Sequence, residues 1–210
     1  MTSPRAVVFD LGNVLIRWDP HPAIARGVGA EHATRFLGAA DFDFLAWNHE
    51  QDAGRSWQEG EALVAQTHPH WAQAARAYRE HFAESLVGPV HDTVELLTEL
   101  HAAGVRLLAL TNWSAELFPV ARRDFRFLGL FDDIVVSGQE QLAKPDARIF
   151  RVLERRAGVP LAACVFIDDS RRNVESARAL GMDAILFEDT GHLRADLHER
   201  GLPVAAPSPD

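Results

Sequence analysis

Five short apolar runs, each closed by a polar residue or a glycine, set the frame for this chain: residues 6–9, 106–110, 134–136, 164–167 and, more weakly, 184–187. Runs this short and this continuously apolar suit strands buried on both faces of a parallel sheet. The stretches between them carry helical spacing. Residues 90–103 place Val94, Leu97 and Leu100 at helical intervals and stop at Gly104, residues 146–157 stop at Gly158, and residues 171–180 stop at Gly181. Glycine past the last turn ends a helix well, because it takes the left-handed conformation without a Cβ clash. Strand, helix and strand in repetition predict an α/β fold built on a doubly wound parallel sheet.

Residues 19–85 break that rhythm. They contain no convincing buried strand, are rich in the helix formers Ala, Glu, Gln and Arg, and include Trp47, Trp57 and Trp71. The simplest reading is a small helical cap inserted after the first strand, hinged at 18–20 and 86–89. Residues 1–18 and 86–201 then form the core. Packing helices without a gating role are the alternative. The proline-containing tail, 202–210, is expected to be flexible.

Charge and composition exclude some functions. A net charge of −9 leaves no basic footprint for nucleic acid. An anionic substrate therefore needs a local positive site. No apolar run approaches the roughly 20 residues that span a bilayer, and no secretory leader pattern follows Met1, so no membrane partner is expected. The lone cysteine, Cys164, cannot close an internal disulfide and reads as a small buried hydrophobe. A cytoplasmic location is the default expectation.

Four strand ends carry the chemistry, and ligands of open α/β sheets bind outside the carboxyl ends of strands. Asp10 stands where the first strand stops, and Gly12 lets a carbonyl approach a ligand closely. Thr111 follows the second run; with the Asn112 N–H it could cradle an anion, or Thr111 or Ser114 could simply cap a helix. Lys144, before Pro145, could balance negative charge or lie solvated at the surface. The adjacent Asp168 and Asp169 end a very apolar strand. Two carboxylates there are costly without a cation or hydrogen bonds, and oxygen-only donors suit Mg²⁺.

Asp10, Thr111, Lys144 and the Asp168–Asp169 pair followed by Asn173, in this order and on these strands, closely resemble the haloacid dehalogenase (HAD) superfamily over nearly the whole chain. Its first type of cap has the placement of residues 19–85. The stretch Phe9-Asp10-Leu11-Gly12-Asn13-Val14-Leu15, with Asp52-Ala53-Gly54, resembles the subfamily IA-like branch that includes bacterial α-glucose-1-phosphate phosphatase-like proteins. The resemblance implies a phosphatase acting on a small phosphorylated molecule, in which Asp10 attacks phosphorus and forms an aspartyl-phosphate. It implies Mg²⁺ held by the Asp10 carboxylate, the Gly12 carbonyl and Asp169, with Asp168 acting through water or as a support. Thr111 and the Asn112 amide would hold phosphoryl oxygens, Lys144 would neutralise charge, and Asn173 would orient Lys144 or a metal-bound water.

One position departs from the family. Its phosphatases place a second Asp two residues after the nucleophile as general acid and base, where this chain has Gly12. Asp19, His49 and Glu50 are candidate replacements. The rival readings are an L-2-haloacid dehalogenase, which uses the same aspartate on carbon without magnesium, and a HAD-fold binding protein without turnover. Trp47 and Trp57 could line a substrate pocket or pack a helix face. His68 and His70 flank Pro69 without a third nearby ligand, which argues against zinc.

Overall fold

The computed structural model describes residues 4–206. The first strand, β1 (Ala6–Phe9), is wholly buried, as its unbroken apolar sequence requires. The chain then passes through β2 (Ile16–Trp18) into five helices: α1 (Pro20–Val28), α2 (Ala30–Leu37), α3 (Phe44–Asp52), α4 (Trp57–Thr67) and α5 (Ala72–Glu80). It returns through β3 (Leu86–Pro89) to α6 (His91–Ala102) and β4 (Leu107–Thr111). Next come α7 (Phe118–Asp124), β5 (Asp133–Val136), the single turn α8 (Ser137–Glu140) and α9 (Ala147–Ala157). The remaining elements are β6 (Cys164–Asp168), α10 (Arg171–Ala179), β7 (Asp183–Leu186) and α11 (Thr190–Glu199).

Five strands form one all-parallel sheet in the order β5-β4-β1-β6-β7. The strand order reverses at β1, which pairs with β4 on one side and β6 on the other. That reversal is the switch point where open α/β sheets form their ligand crevice. Side chains alternate across the sheet. Val7 and Phe9 face a core shared with α6 and α11, through residues such as Leu97 and Leu193. Ala6 and Val8 face a second core built by α9 and α10, through Phe150 and Val174.

Two features differ from the expectation. The segments read as hinges pair as an antiparallel ribbon, Ile16 opposite Pro89 and Trp18 opposite Leu86. These strands are short and partly exposed, so their sequence carries no buried-strand signal. The tail expected to be flexible from 202 instead packs: Leu202 and Val204 are buried, and the Ala205 N–H donates to Glu99. Residues 207–210 lie outside the described residues. No helix among the described residues is long and apolar enough to cross a membrane.

The helical insertion has an aromatic interior. Phe44 meets Tyr78 edge-on at 5.1 Å between centroids, and Trp47 meets Trp57 at 5.4 Å. Trp47 and Trp57 are buried in this cluster. Helices α1 and α5 approach closely at Gly27, where a Cβ would come within 2.5 Å of the Ala77 Cβ. Gly27→Val must push the two helices apart, and overpacking of this kind costs about 1–3 kcal/mol. Urea unfolding should show that loss as a lower midpoint with an unchanged slope.

Candidate active site

Asp10, Thr111 and Asp168 stand at the carboxyl ends of three adjacent strands. The Asp10 N–H donates to the Ile167 carbonyl of β6 at 2.8 Å, which fixes the residue against its neighbour. The Leu11 N–H donates to Asp10 Oδ1 at 2.8 Å. Beyond Gly12 the chain turns sharply through Asn13, at φ 54°, and the Asn13 side chain accepts the Trp18 N–H. A Cβ at Gly12 would meet nothing within 4 Å. Crowding therefore does not account for the glycine where the family carries its second Asp.

Lys144 is buried, and its ammonium is saturated. Nζ lies 2.9 Å from Asp10 Oδ1 and 2.7 Å from Asp168 Oδ2, and it donates to the Leu110 carbonyl at 2.8 Å. Burial opposes its charge, but the Asp10 and Asp168 carboxylates outweigh that and hold the ammonium above its ordinary pKa. Asn112 clamps the lysine backbone from both sides. Its Nδ2 donates to the Lys144 carbonyl at 2.9 Å, and its Oδ1 accepts the Lys144 N–H at 2.8 Å.

Asp168 is filled by protein donors: Lys144 Nζ, the Ser170 N–H at 2.8 Å, and Asn173 Nδ2 at 3.0 and 3.1 Å from its two oxygens. Asn173 therefore reaches Lys144 only through Asp168. Thr111 is buried at the last position of β4, one residue further inside the strand than the apolar run suggested. Asp169 is exposed beside the pair. Oxygens of Asp10, Asp168 and Asp169 all lie within 4.8 Å of one another, a donor set of carboxylates that suits a hard divalent cation. Burial raises the Asp10 pKa, with Lys144 opposing, and burial with the neighbouring Asp168 raises that of Asp169. A bound cation would act against both shifts.

A cavity of about 160 Å³ opens over this cluster, lined by Asp10, Gly12, Asn112 and Asp169 from the sheet and roofed by Asn48, Asp52, Tyr78 and Phe82. Trp18 and Trp113 complete its walls, whereas Trp47 and Trp57 do not line it. None of the three replacement acids suggested by sequence lines it either. Asp19 caps α1 through the His21 N–H, His49 faces a separate depression beside Ala53 and Gln141, and Glu50 is exposed.

Asp52 was missed. Burial, with the nearby Asp10 carboxylate, pushes it up to about 8, although the Ser114 N–H and Lys144 pull the other way. Its sequence signal is the Asp52-Ala53-Gly54 stretch that carries part of the branch resemblance, which marks the place and not an acid role.

Lys144 joins two buried carboxylates, so removing it leaves their charges facing each other. Lys144→Ala should lower stability by about 3–5 kcal/mol in metal-free buffer, measured by denaturant unfolding. An unchanged midpoint would show that the three groups are not energetically coupled.

Comparison with known proteins bears on the family and the fold. Over 191 residues, the chain is 26% identical to a sesquiterpene phosphatase of Aspergillus oryzae, covering 90% of this chain and 92% of that protein. It is 27% identical over 196 residues to a drimenol cyclase of Aspergillus calidoustus, covering 92% of this chain but only 36% of the cyclase. A HAD family enzyme from Bacteroides thetaiotaomicron, crystallised with magnesium and inorganic phosphate, superposes with a TM-score of 0.69 at 21% identity, covering 90% of this chain and 98% of that one. The haloacid dehalogenase-like hydrolase family matches residues 4–181, and the chain belongs to that family.

Proposed function

We propose that this chain is a magnesium-dependent phosphomonoester hydrolase of a small phosphorylated metabolite, working through an aspartyl-phosphate on Asp10. The observation that carries the reading is the convergence of the Asp10 and Asp169 carboxylates beside a buried lysine at the sheet's switch point. The phosphatase named among the relatives and the magnesium and phosphate in the Bacteroides crystal support it.

Asp10, the Gly12 carbonyl and Asp169 would hold the cation, because Asp168 already has its oxygens engaged by protein donors. The cation would supply charge neutralisation for the transferring phosphoryl group. Asp10 is the nucleophile, and a carboxylate that attacks phosphorus divides one difficult displacement into two easier ones. Lys144 holds Asp10 in place and offsets the charge that collects on it. Thr111 and the Asn112 amide bind phosphoryl oxygens; the Asn112 side chain, by clamping Lys144, also fixes the backbone that carries that amide. Residues 19–85 act as a cap that shuts water out of the cavity.

The test is phosphate release from sugar phosphates, nucleotides and phosphorylated small acids, with Mg²⁺ and with EDTA. Release should require Mg²⁺ and return when it is restored. Asp10→Asn should abolish turnover while its unfolding midpoint stays near that of the wild type. Halide release from 2-haloacids that ignores EDTA, with no phosphate release, overturns the assignment.

A further inference from the structure

In a phosphatase of this kind the leaving oxygen departs as an alkoxide unless a proton reaches it, and Gly12 has none to give. We propose that Asp52, at the end of α3 in the cap, is the general acid and base of the reaction and touches the leaving-group oxygen. This rests on the phosphatase reading above.

Three structural observations carry it. First, Asp52 lines the same cavity of about 160 Å³ as Asp10, Gly12 and Asp169, and it comes from the inserted helix α3 whereas the nucleophile follows β1 of the sheet. An in-line displacement needs its acid on the side the leaving group exits, away from the attacking oxygen. Second, the carboxyl is held in place: Asn48 Nδ2 donates to Asp52 Oδ2 at 3.1 Å. Third, the backbone around it is docked on the core. The Ser137 hydroxyl donates to the Asp52 carbonyl at 2.5 Å and accepts the Trp113 N–H at 2.8 Å. Two residues on, Gly54 sits so close to Gln141 that a Cβ would come within 3.0 Å of it. The acid is therefore fixed by core residues as well as by its own helix, as a group that must meet a reacting atom has to be.

The protonation state agrees. The charged and titratable groups facing Asp52 are Asp10, Lys144 and Tyr78, and Tyr78 is itself kept neutral by burial. Burial raises the Asp52 carboxyl to about 8; a bound phosphoryl group acts in the same direction and a bound cation against it.

The steps balance. Asp10 bonds to phosphorus as the bond to the leaving oxygen breaks, and the Asp52 proton passes to that oxygen, releasing the alcohol. The Asp52 carboxylate then takes a proton from water as the water oxygen bonds to phosphorus. The bond to Asp10 breaks, phosphate leaves, and both carboxyl groups return to their starting states.

The experiment compares Asp52→Asn with the wild type on two substrates, glycerol phosphate and para-nitrophenyl phosphate, with Mg²⁺. Glycerol phosphate loses a poor leaving group and should slow by ~10²–10⁴-fold in the variant, the usual contribution of a general acid. The first turnover of para-nitrophenyl phosphate needs no proton and should stay within about threefold of the wild type, followed by slow turnover because water is no longer activated. Rapid mixing therefore shows a burst of nitrophenol in the variant. Should Asp52→Asn fail to fold, Asp52→Ser serves the same comparison. An unchanged glycerol phosphate rate, or a first nitrophenol turnover that falls in parallel with it, overturns the role of Asp52 alone. A wild type that releases phosphate from neither substrate nor from any sugar phosphate, nucleotide or phosphorylated small acid overturns the phosphatase reading and this role with it.

Discussion

A buried ammonium ion holds this site together. Lys144 Nζ has three acceptors, one at the end of each of three strands: Asp10 after β1, Leu110 on β4 and Asp168 on β6. Desolvating such an ion is expensive, and only close opposite charges with well-aligned hydrogen bonds offset it. The same contacts that make Lys144 tolerable thus tie the strand ends together at the crevice. Support continues outward: Ser170 and Asn173 fix Asp168, and Asn112 fixes the lysine backbone. The charge arithmetic points outward too. Asp10, Asp168 and Asp169 outnumber the one lysine, so the cluster can accept a divalent cation, and with it a phosphoryl group, more readily than a phosphoryl group alone.

The insertion reaches this cluster through few contacts. The Trp57 indole donates to the Ser114 hydroxyl at 2.8 Å, its backbone N–H donates to Glu116, and Ser137 holds the Asp52 carbonyl. They join the end of α3 and the start of α4 to residues that follow β4 and β5 at the carboxyl edge of the sheet. The β2–β3 ribbon is the covalent attachment on the other side. The cavity of about 160 Å³ beside this cluster is open to solvent, so it bounds only the part of a substrate next to its phosphoryl group.

The sheet was legible because fully buried parallel strands leave an unmistakable trace: 6–9 matches β1 end for end, and the others shift by a residue. The strand-end carboxylates were legible for a related reason, since charge at the end of such a run demands compensation. The β2–β3 ribbon was not, because its residues are half exposed and their pairing depends on two segments almost seventy positions apart meeting in space. The tail packs through Leu202 and Val204, a contact set by where α6 and α11 lie and not by its own composition. Asp52 was hidden for a similar reason. The Asp52-Ala53-Gly54 stretch stands out only through its resemblance to the branch and says nothing of an acid; the docking of α3 puts Asp52 on the cavity and leaves Glu50 exposed.

That difference has a mechanistic consequence. An acid at position 12 would stand on the core loop in every conformation, and the open space there shows that a side chain could be accommodated. In the proposed role, the acid at Asp52 is carried by the insertion, and its position over the core rests on the Asp52 carbonyl held by Ser137 and on Gly54 against Gln141. In that role, leaving-group protonation and water activation both depend on the insertion being docked on the core. A substrate that fits too poorly to let the cap close would phosphorylate Asp10 slowly, and the phosphoenzyme would wait for closure before water could attack. Placing the acid on the cap makes fit between cap and substrate a condition of chemistry, so specificity would be read in kcat as well as in binding.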